Sequence, residues 1–240
     1  MILMIEVNNI NKSSGQLKIL NNCNLVIHDG DFVEIVGFKG AGKTALMKII
    51  AGFVKPDYGY VLIDHKLPYK QFMHIGYLSK DINWYKNLTV EKNILLSAKK
   101  HEISDEQATF ITNKILNFTK LDNVKNLLAG DLPIEQKLKL SLAVILVYKP
   151  LTLLVEFPND LNLNKTFEDE LWLLLKQINQ HKITVIVTTS HLDNIEQCKK
   201  VVFMDKGKIL LVDNLHNVID KIKNSNYSLV KLISTLTNKN

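Results

Sequence analysis

The sequence predicts an α/β fold in which a parallel sheet carries a phosphate-binding loop and a helical lobe is inserted between two sheet-forming stretches. Three observations predict it. Residues 37–44 read G-F-K-G-A-G-K-T and follow an apolar strand. From about residue 87 to 147 the apolar residues recur with the period of a helix. After residue 151, strands and helices alternate, which is typical of a parallel sheet.

The first stretch, residues 2–77, is composed of strands and turns around the phosphate-binding loop. Its predicted elements, in order, are a turn at 29–31, a strand at 32–36, a helix at 45–51 that ends at Gly52, a turn at 55–59 and a strand at 60–63. A loop between a strand and a helix is the context that a phosphate-binding motif requires.

The two later stretches differ in their hydrophobic period. Thr89 is positioned to cap a helix that starts at Val90, and residues 130–133 interrupt the helical pattern before a second helix. After residue 151 the predicted strands are 151–155, 183–188 and 201–204, and the helix between the first two has Phe167, Leu171, Leu174, Leu175 and Ile178 on one face. A parallel sheet holds the ligand of a phosphate-binding loop at its carboxyl edge.

The phosphate-binding loop predicts where a nucleotide binds. Its residues are Gly37, Phe38, Lys39, Gly40, Ala41, Gly42, Lys43 and Thr44. Glycines let successive backbone N–H groups turn toward phosphates without Cβ clashes, and the next helix adds its positive N-terminus. Lys43 is expected to reach the terminal phosphates and Thr44 to ligate Mg²⁺. A glycine turn before an ordinary helix is the alternative, and the strand–loop–helix order favours phosphate binding.

Composition limits the class of protein. The 240 residues, 46% of them hydrophobic, are enough for one domain with a large core or for a core and a small lobe. No apolar run approaches the length of a membrane span, and the first residues lack the pattern of a signal peptide. Cys23 and Cys198 stand in unrelated contexts, which is typical of buried, reduced thiols. We therefore expect a cytoplasmic protein.

The net charge of +6 comes from lysine alone. Lysine and arginine together number 30, and no arginine occurs. Because arginine is the preferred bidentate reader of guanine and phosphate, no specific nucleic-acid partner is expected. The lysines are spread along the chain, which favours solvated faces, and weak attraction to anionic lipid headgroups is the alternative.

The order and spacing of three sequence segments resemble those of a known protein family. Residues 49–61 (I-I-A-G-F-V-K-P-D-Y-G-Y-V), 87–94 (N-L-T-V-E-K-N-I) and 188–191 (T-T-S-H) are similar to segments of the nucleotide-binding subunits of ABC transporters. The resemblance extends over about residues 2–212. It implies an α/β P-loop NTPase cassette of the ABC type, with a parallel-sheet core, an N-terminal antiparallel β portion and a helical lobe inserted at about residues 80–147.

The same resemblance implies domains, cofactors and partners. Residues 1–212 would form the cassette and 213–240 a C-terminal helical extension. The ligand would be ATP or ADP with Mg²⁺. The partners would be transmembrane permease subunits and a second ATP-binding subunit, in a homodimer or a heterodimer. The chain would then lie in the cytoplasm, peripherally on the inner face of the cell membrane.

Three residues stand at positions that the family uses for nucleotide or metal. Ser14 stands where the family stacks adenine on an aromatic ring, and Lys80 where it has a glutamine that contacts Mg²⁺. Lysine is not a Mg²⁺ ligand. Base stacking is worth about 1–3 kcal/mol, so nucleotide affinity and base preference are expected to fall. His191 stands at the family's switch histidine and is expected to contact the γ-phosphate, with a purely structural histidine as the alternative.

The signature loop of the family, L-S-G-G-Q, aligns with Leu132, Pro133, Ile134, Glu135 and Gln136. In the family this loop donates a serine hydroxyl and glycine N–H groups to the ATP of the opposing subunit. Pro133 has no N–H, Ile134 adds a branched side chain and Glu135 brings a negative charge toward a negative ligand. The alignment therefore implies a loop that does not clamp ATP, and a different register is the alternative.

Glu156 and Phe157 follow the strand at 151–155, where the family has an aspartate and a glutamate. Glu156 is expected to hold a Mg²⁺ shell through water, together with Thr44. Phe157 replaces the carboxylate that orients and deprotonates the attacking water. Loss of a general base lowers a rate by about 10²–10⁴.

These features favour a pseudo-ATPase, a nucleotide-binding subunit of an ABC complex that binds ATP and hydrolyses it poorly. It is expected to dock on a membrane subunit through residues 80–88, including Trp84 and Tyr85. Two alternatives stay open: a catalytically active, divergent transport ATPase, and a soluble ABC protein that serves no transporter. Tandem cassettes or a long coiled coil would indicate the last, and both are absent.

The tail predicts two short amphipathic helices after residue 212. The apolar face of the first holds Leu215, Val218, Ile219 and Ile222, and that of the second holds Leu229, Leu232, Ile233 and Leu236. So short a helix is marginal without tertiary contacts, which favours packing against the sheet domain. A dimerisation or partner-docking face is the alternative.

Overall fold

The computed structural model describes residues 4–79, 84–157, 163–190 and 195–225. Within these ranges it has nine strands in two sheets and six α-helices. Strands and helices alternate around a mostly parallel sheet, a smaller antiparallel sheet lies at the N-terminus, and three helices form an inserted lobe. The fold class predicted from the sequence is confirmed.

The N-terminal sheet is antiparallel throughout. It contains β1 (Met4–Ser14), β2 (Leu17–His28) and β4 (Tyr58–Ile63), in the order β2-β1-β4. Alternate residues of β1 and β2 face inward, among them Ile5, Val7 and Leu25. This period-two pattern is typical of a sheet with one buried face.

The central sheet is parallel except at one edge. Its strands are β3 (Phe32–Val36), β5 (Ile75–Leu78), β6 (Thr152–Glu156), β7 (Thr184–Thr189), β8 (Lys200–Asp205) and β9 (Lys208–Asn214), in the order β5-β6-β7-β3-β8-β9. Only β9 runs antiparallel, against β8. The strands β3, β6 and β7 are buried along their whole length, which explains their continuous apolar sequences.

Helices cover both faces of this sheet. They are α1 (Lys43–Ile50), α2 (Val90–Lys100), α3 (Asp105–Thr119), α4 (Ile134–Leu146), α5 (Lys165–Gln180) and α6 (Leu215–Ser225). The predicted cap of α2 is confirmed, because the Thr89 hydroxyl accepts a hydrogen bond from the Lys92 N–H at 3.2 Å. Helices α2, α3 and α4 pack together as the helical lobe.

Two hydrophobic cores lie on opposite faces of the central sheet. One joins α1 and the antiparallel sheet to side chains such as Val33 and Ile35 of β3. The other joins the helical lobe and α5 to Phe32 and to Val155 of β6. The sheet is thus fixed from both faces, and the carboxyl ends of β3, β6 and β7 meet beside the phosphate-binding loop.

The first part of the tail, helix α6, packs against the central sheet. Strand β9 ends at Asn214, two residues after the boundary predicted at 212, and α6 follows directly. Val218 is fully buried and contacts Val36, Val201 and Phe203. The second predicted tail helix lies outside the described residues.

Candidate functional site

The phosphate-binding loop joins the end of β3 to the start of α1, as the sequence predicts. Gly42 precedes α1 with φ 97°, in the left-handed region, and a Cβ there would lie 2.8 Å from Leu20 Cδ2. At Gly37, a Cβ would lie 2.3 Å from the Met204 carbonyl oxygen. These two positions therefore require glycine, because the loop is pressed against β2 and β8.

The Lys43 ammonium lies over the loop. Its Nζ donates to the Gly37 carbonyl oxygen at 2.5 Å and to the Phe38 carbonyl oxygen at 3.1 Å. No acidic residue stands in the first turn of α1, so the positive end of the helix is not opposed there. Thr44 is exposed at the same helix terminus. This arrangement suits an anion with several phosphate oxygens.

A cleft of about 810 Å³ opens above the loop. It brings together the loop, Ser14 and the pair Glu156 and Phe157, which are far apart in the sequence. The cleft also includes six lysines: Lys12, Lys18, Lys39, Lys43, Lys48 and Lys206. Glu156 is the single carboxylate among the described lining residues. The volume is within the range of ligand sites.

The wall beside Ser14 is built by an ion pair that the sequence did not reveal. Asp57 accepts from Lys12 Nζ at 2.6 Å and from the Ser13 N–H at 2.7 Å, and these hydrogen bonds lower the pKa of the Asp57 carboxyl. Ser14 itself is exposed at the end of β1. Leu17, 69% exposed, supplies the apolar surface near it. A base in this part of the cleft would therefore meet an aliphatic side chain.

Glu156 is held at the end of β6. It is 6% exposed, and its Oε1 accepts from the Tyr77 hydroxyl on the neighbouring strand β5 at 2.5 Å. The carboxylate thus has a defined position beside the cleft. The resemblance to the family indicated Glu156 at the position after a short apolar strand, but no signal in the sequence indicated Tyr77.

Phe157 continues β6 and packs into the core. Its N–H donates to the Thr188 carbonyl oxygen at 3.0 Å, which extends the pairing with β7. Its ring stacks on Trp172 of α5 with 5.3 Å between ring centroids, and Trp172 stacks on Phe32 at 6.1 Å. The residue that follows Glu156 is therefore part of an aromatic stack, and it also lines the cleft.

Residues 132–136, which the sequence aligns with the family's signature loop, lie at the start of α4 and do not line the cleft as described. Leu132 is buried, while Pro133 and Ile134 are exposed, and Pro133 precedes α4 without a side-chain cap. Glu135 Oε1 accepts from Asn164 Nδ2 at 3.3 Å.

The oxygen donors fit a metal that arrives with a nucleotide. Thr44 and Glu156 both line the cleft, but no group of three His, Cys, Asp or Glu side chains is arranged for a metal among the described residues. Mg²⁺ usually takes one or two carboxylates together with phosphate oxygens and water. The pair therefore completes a metal shell only when phosphate supplies the other ligands.

Two predicted site residues, Lys80 and His191, lie outside the described residues. Near Lys80, the expectation that Trp84 takes part in docking is wrong, because Trp84 is buried and its Nε1 donates to Ser141 Oγ at 2.9 Å. Tyr85 is exposed and accepts from Lys100 Nζ at 3.0 Å. It lines a second cavity of about 300 Å³ between α2 and the sheet.

Comparisons with known proteins show the family of the chain. Residues 20–157, more than half of the chain, match the family model described as "ABC transporter". The chain is 34% identical over 188 residues to the "Probable multidrug ABC transporter ATP-binding protein YbhF" of Escherichia coli (strain K12). That match covers 77% of this chain and 32% of the relative, so the chain spans about a third of the relative's length.

Solved structures share the fold. One described as "Structure of ATP binding subunit of ABC transporter" has a TM-score of 0.85 at 19% identity, and the match covers 98% of this chain and 99% of that one. A dimeric ATP-binding cassette, MJ0796, bound to ADP and Pi, has a TM-score of 0.79 at 24% identity, covering 88% of this chain and 98% of that one. With an intact phosphate-binding loop in this fold and a family match over most of its length, the chain belongs to the ABC transporter family as a nucleotide-binding domain.

Proposed function

We propose that this chain is an ATP-binding subunit of an ABC transporter that binds ATP or ADP in the cleft above residues 37–44 and hydrolyses ATP poorly. The observation that carries the proposal is the contrast between two neighbouring parts of one cleft. The phosphate-binding loop is complete, whereas Phe157 stacks on Trp172 where a water-activating carboxylate would be needed.

Hydrolysis requires a group that removes a proton from the attacking water. Glu156 accepts a hydrogen bond from Tyr77, and Phe157 offers no proton acceptor. No other carboxylate lines the cleft within the described residues. Absence of a general base lowers a rate by about 10²–10⁴. Nucleotide binding does not depend on that group, so binding and turnover are expected to separate.

The second support is the sequence at the start of α4. Pro133 offers no N–H, and Ile134 is exposed with a branched side chain. Glu135 would oppose a phosphate of like charge. In an ABC dimer this loop would face the partner's nucleotide, so a homodimer would contain two weakened sites.

The partners that we propose are transmembrane permease subunits and a second ATP-binding subunit, identical or different. Residues 1–212 would form the cassette, with 213–240 as its extension. The exposed Tyr85 and the cavity between α2 and the sheet offer a groove for a permease segment on the inner face of the membrane. No helix in the described part of the chain is long and apolar enough to cross a membrane.

Mg²⁺ bound with the nucleotide would be held by Thr44 and, through water, by Glu156. Bound there, the metal would polarise the phosphate oxygens. The chain's own contribution is to orient the phosphates, with backbone N–H groups at the helix N-terminus and with the Lys43 ammonium.

The test compares binding with turnover. Isothermal titration of the full chain should detect ATP and ADP, and Lys43→Ala should abolish binding, whereas Lys92→Ala on the exposed face of α2 should not change it. ATP turnover should stay well below about one per second, the low end of typical enzyme values. No binding up to millimolar nucleotide would refute the proposed site. Turnover above that rate that Lys43→Ala removes would favour the active, divergent ATPase.

A further inference from the structure

A tyrosine of β5 and a glutamate of β6 lie on the same face of the central sheet. Tyr77 pairs with Leu154 in the parallel register of the two strands, and both belong to the core on the α1 side. Glu156 follows Leu154 by two residues, so its side chain points to that face as well. The Tyr77 hydroxyl spans the diagonal between the strands and donates to Glu156 Oε1 at 2.5 Å.

This hydrogen bond fixes the position of the Glu156 carboxylate. Glu156 is buried at the end of β6, and among the described residues the Tyr77 hydroxyl is the one group that bonds to its side chain. A glutamate has one more side-chain torsion than the aspartate that the resemblance implies at this position, so more conformers have to be excluded. With Oε1 on the hydroxyl, Oε2 remains for a water molecule in the shell of a metal.

The ring of Tyr77 is held by contacts that do not involve its hydroxyl. It lies edge to face with the Phe53 ring, with 5.2 Å between the ring centroids and an interplanar angle of 86°. Tyr77 also lines the cavity of about 300 Å³ between α2 and the sheet, and it is not among the residues that line the cleft above the phosphate-binding loop. A phenylalanine at this position would therefore keep the packing and lose the support of Glu156.

We propose that Tyr77 is a positioning residue for metal-bound nucleotide, whose hydroxyl holds Glu156 where a water-mediated Mg²⁺ ligand is needed. This inference rests on the proposed nucleotide binding and adds the residue that lets a glutamate serve where the family has an aspartate. Altering a group that hydrogen-bonds a metal ligand typically costs about 10–100-fold in metal affinity. Because Glu156 would act through water, the effect of Tyr77 is expected at the lower end of that range.

The first test measures the affinity of the full chain for ATP by isothermal titration, once with excess MgCl₂ and once with EDTA. Tyr77→Phe should bind MgATP about tenfold more weakly than the unaltered chain and ATP in EDTA equally well, because only the metal complex uses Glu156. Tyr148→Phe is the matched control and should change neither affinity, because the Tyr148 hydroxyl donates to the Ile75 carbonyl oxygen at 3.4 Å and does not line the cleft as described.

The two buffers separate the inference from the proposed function. An unchanged affinity of Tyr77→Phe for MgATP, or an equal loss in both buffers, would overturn the inference and leave the proposed function intact. An unaltered chain that binds nucleotide in neither buffer would overturn both. Thermal unfolding of each variant confirms that the fold is retained.

The second test shows whether Tyr77 acts through Glu156. In a double-mutant cycle, Tyr77→Phe is introduced into the unaltered chain and into Glu156→Ala, and the affinity for MgATP is measured for all four proteins. Without a carboxylate to orient, Tyr77→Phe should cost less than about twofold, compared with about tenfold when Glu156 is present. The same tenfold loss in both backgrounds would overturn the inference, because the hydroxyl would then act on nucleotide binding by another route.

Discussion

Phe157 is part of the hydrophobic core and also lines the cleft. It stacks on Trp172, which also contacts Phe32, and the same residue lines the cleft above the phosphate-binding loop beside Glu156. Burial of a Phe side chain stabilises a fold by about 1.5–3 kcal/mol, and an aromatic pair adds about 0.5–1.5 kcal/mol. A carboxylate at this position would therefore have to leave the stack or be buried in it.

Phe157→Glu should restore little hydrolysis and should lower the free energy of unfolding by about 2–4 kcal/mol, because the ring contacts are lost. The start of α4 stays unchanged in this variant. When several residues act as a unit in catalysis, restoring one of them does not restore the activity. Phosphate release and urea unfolding measure the two effects. Phe157→Gln is the matched control, since glutamine has the shape of glutamate but no carboxylate to act as a base. Full recovery by Phe157→Glu alone would show that residues 132–136 are aligned wrongly with the family's signature.

A second residue, Ser14, tests how the base is recognised. It stands in the cleft wall with Leu17 as the neighbouring apolar side chain. Ser14→Tyr should tighten ATP binding by about 1–3 kcal/mol if the base lies on that wall, because a ring supplies a stacking surface. Ser14→Thr is the control without a ring and should leave the affinity unchanged. For the unaltered chain, ATP and GTP should bind with similar affinity, and a strong preference for ATP would contradict this view of the wall.

At the scale of elements, the local sequence was sufficient to predict a strand or helix that is uniformly buried or clearly capped. The continuous apolar sequences of β3, β6 and β7 predicted those strands to within about one residue. The edge strand β9 was not predicted, because it is half exposed and ends in Asp213 and Asn214. The stack of Phe157 on Trp172 could not be predicted either, since it depends on how α5 lies on the sheet.

The cap of α2 is an element that can be tested directly. Thr89→Ala removes the hydroxyl that accepts from the Lys92 N–H at 3.2 Å and should cost about 1 kcal/mol of stability. For a chain of this size that corresponds to a melting temperature lower by about 2–4 °C. Thr109→Ala is the control, because Thr109 is exposed within α3 and bonds only back to the Asp105 carbonyl. If both variants melt alike, the capping bond does not stabilise the lobe.

At the scale of the whole molecule, the phosphate-binding loop and residues 132–136 lie in different parts of the chain's surface. The first is at the carboxyl edge of the sheet, and the second begins α4 in the helical lobe. We expect a complete site to need a second chain, as the resemblance to ABC cassettes implies. If the contact through nucleotide is weak, other surfaces must hold the subunits together, and the tail is one candidate.

Truncation after Asp213 separates the two interpretations of the tail. It removes α6, whose Val218 is fully buried against Val36, Val201 and Phe203. We expect a less stable, aggregating protein, because the truncation exposes that part of the core. Val218→Ala should cost about 2 kcal/mol without removing the helix, and His216→Ala, exposed on the same helix, is its control. Light scattering and thermal unfolding distinguish the outcomes. A clean change from dimer to monomer with an unchanged melting temperature would instead identify an interface, and a soluble, unchanged monomer would contradict both interpretations.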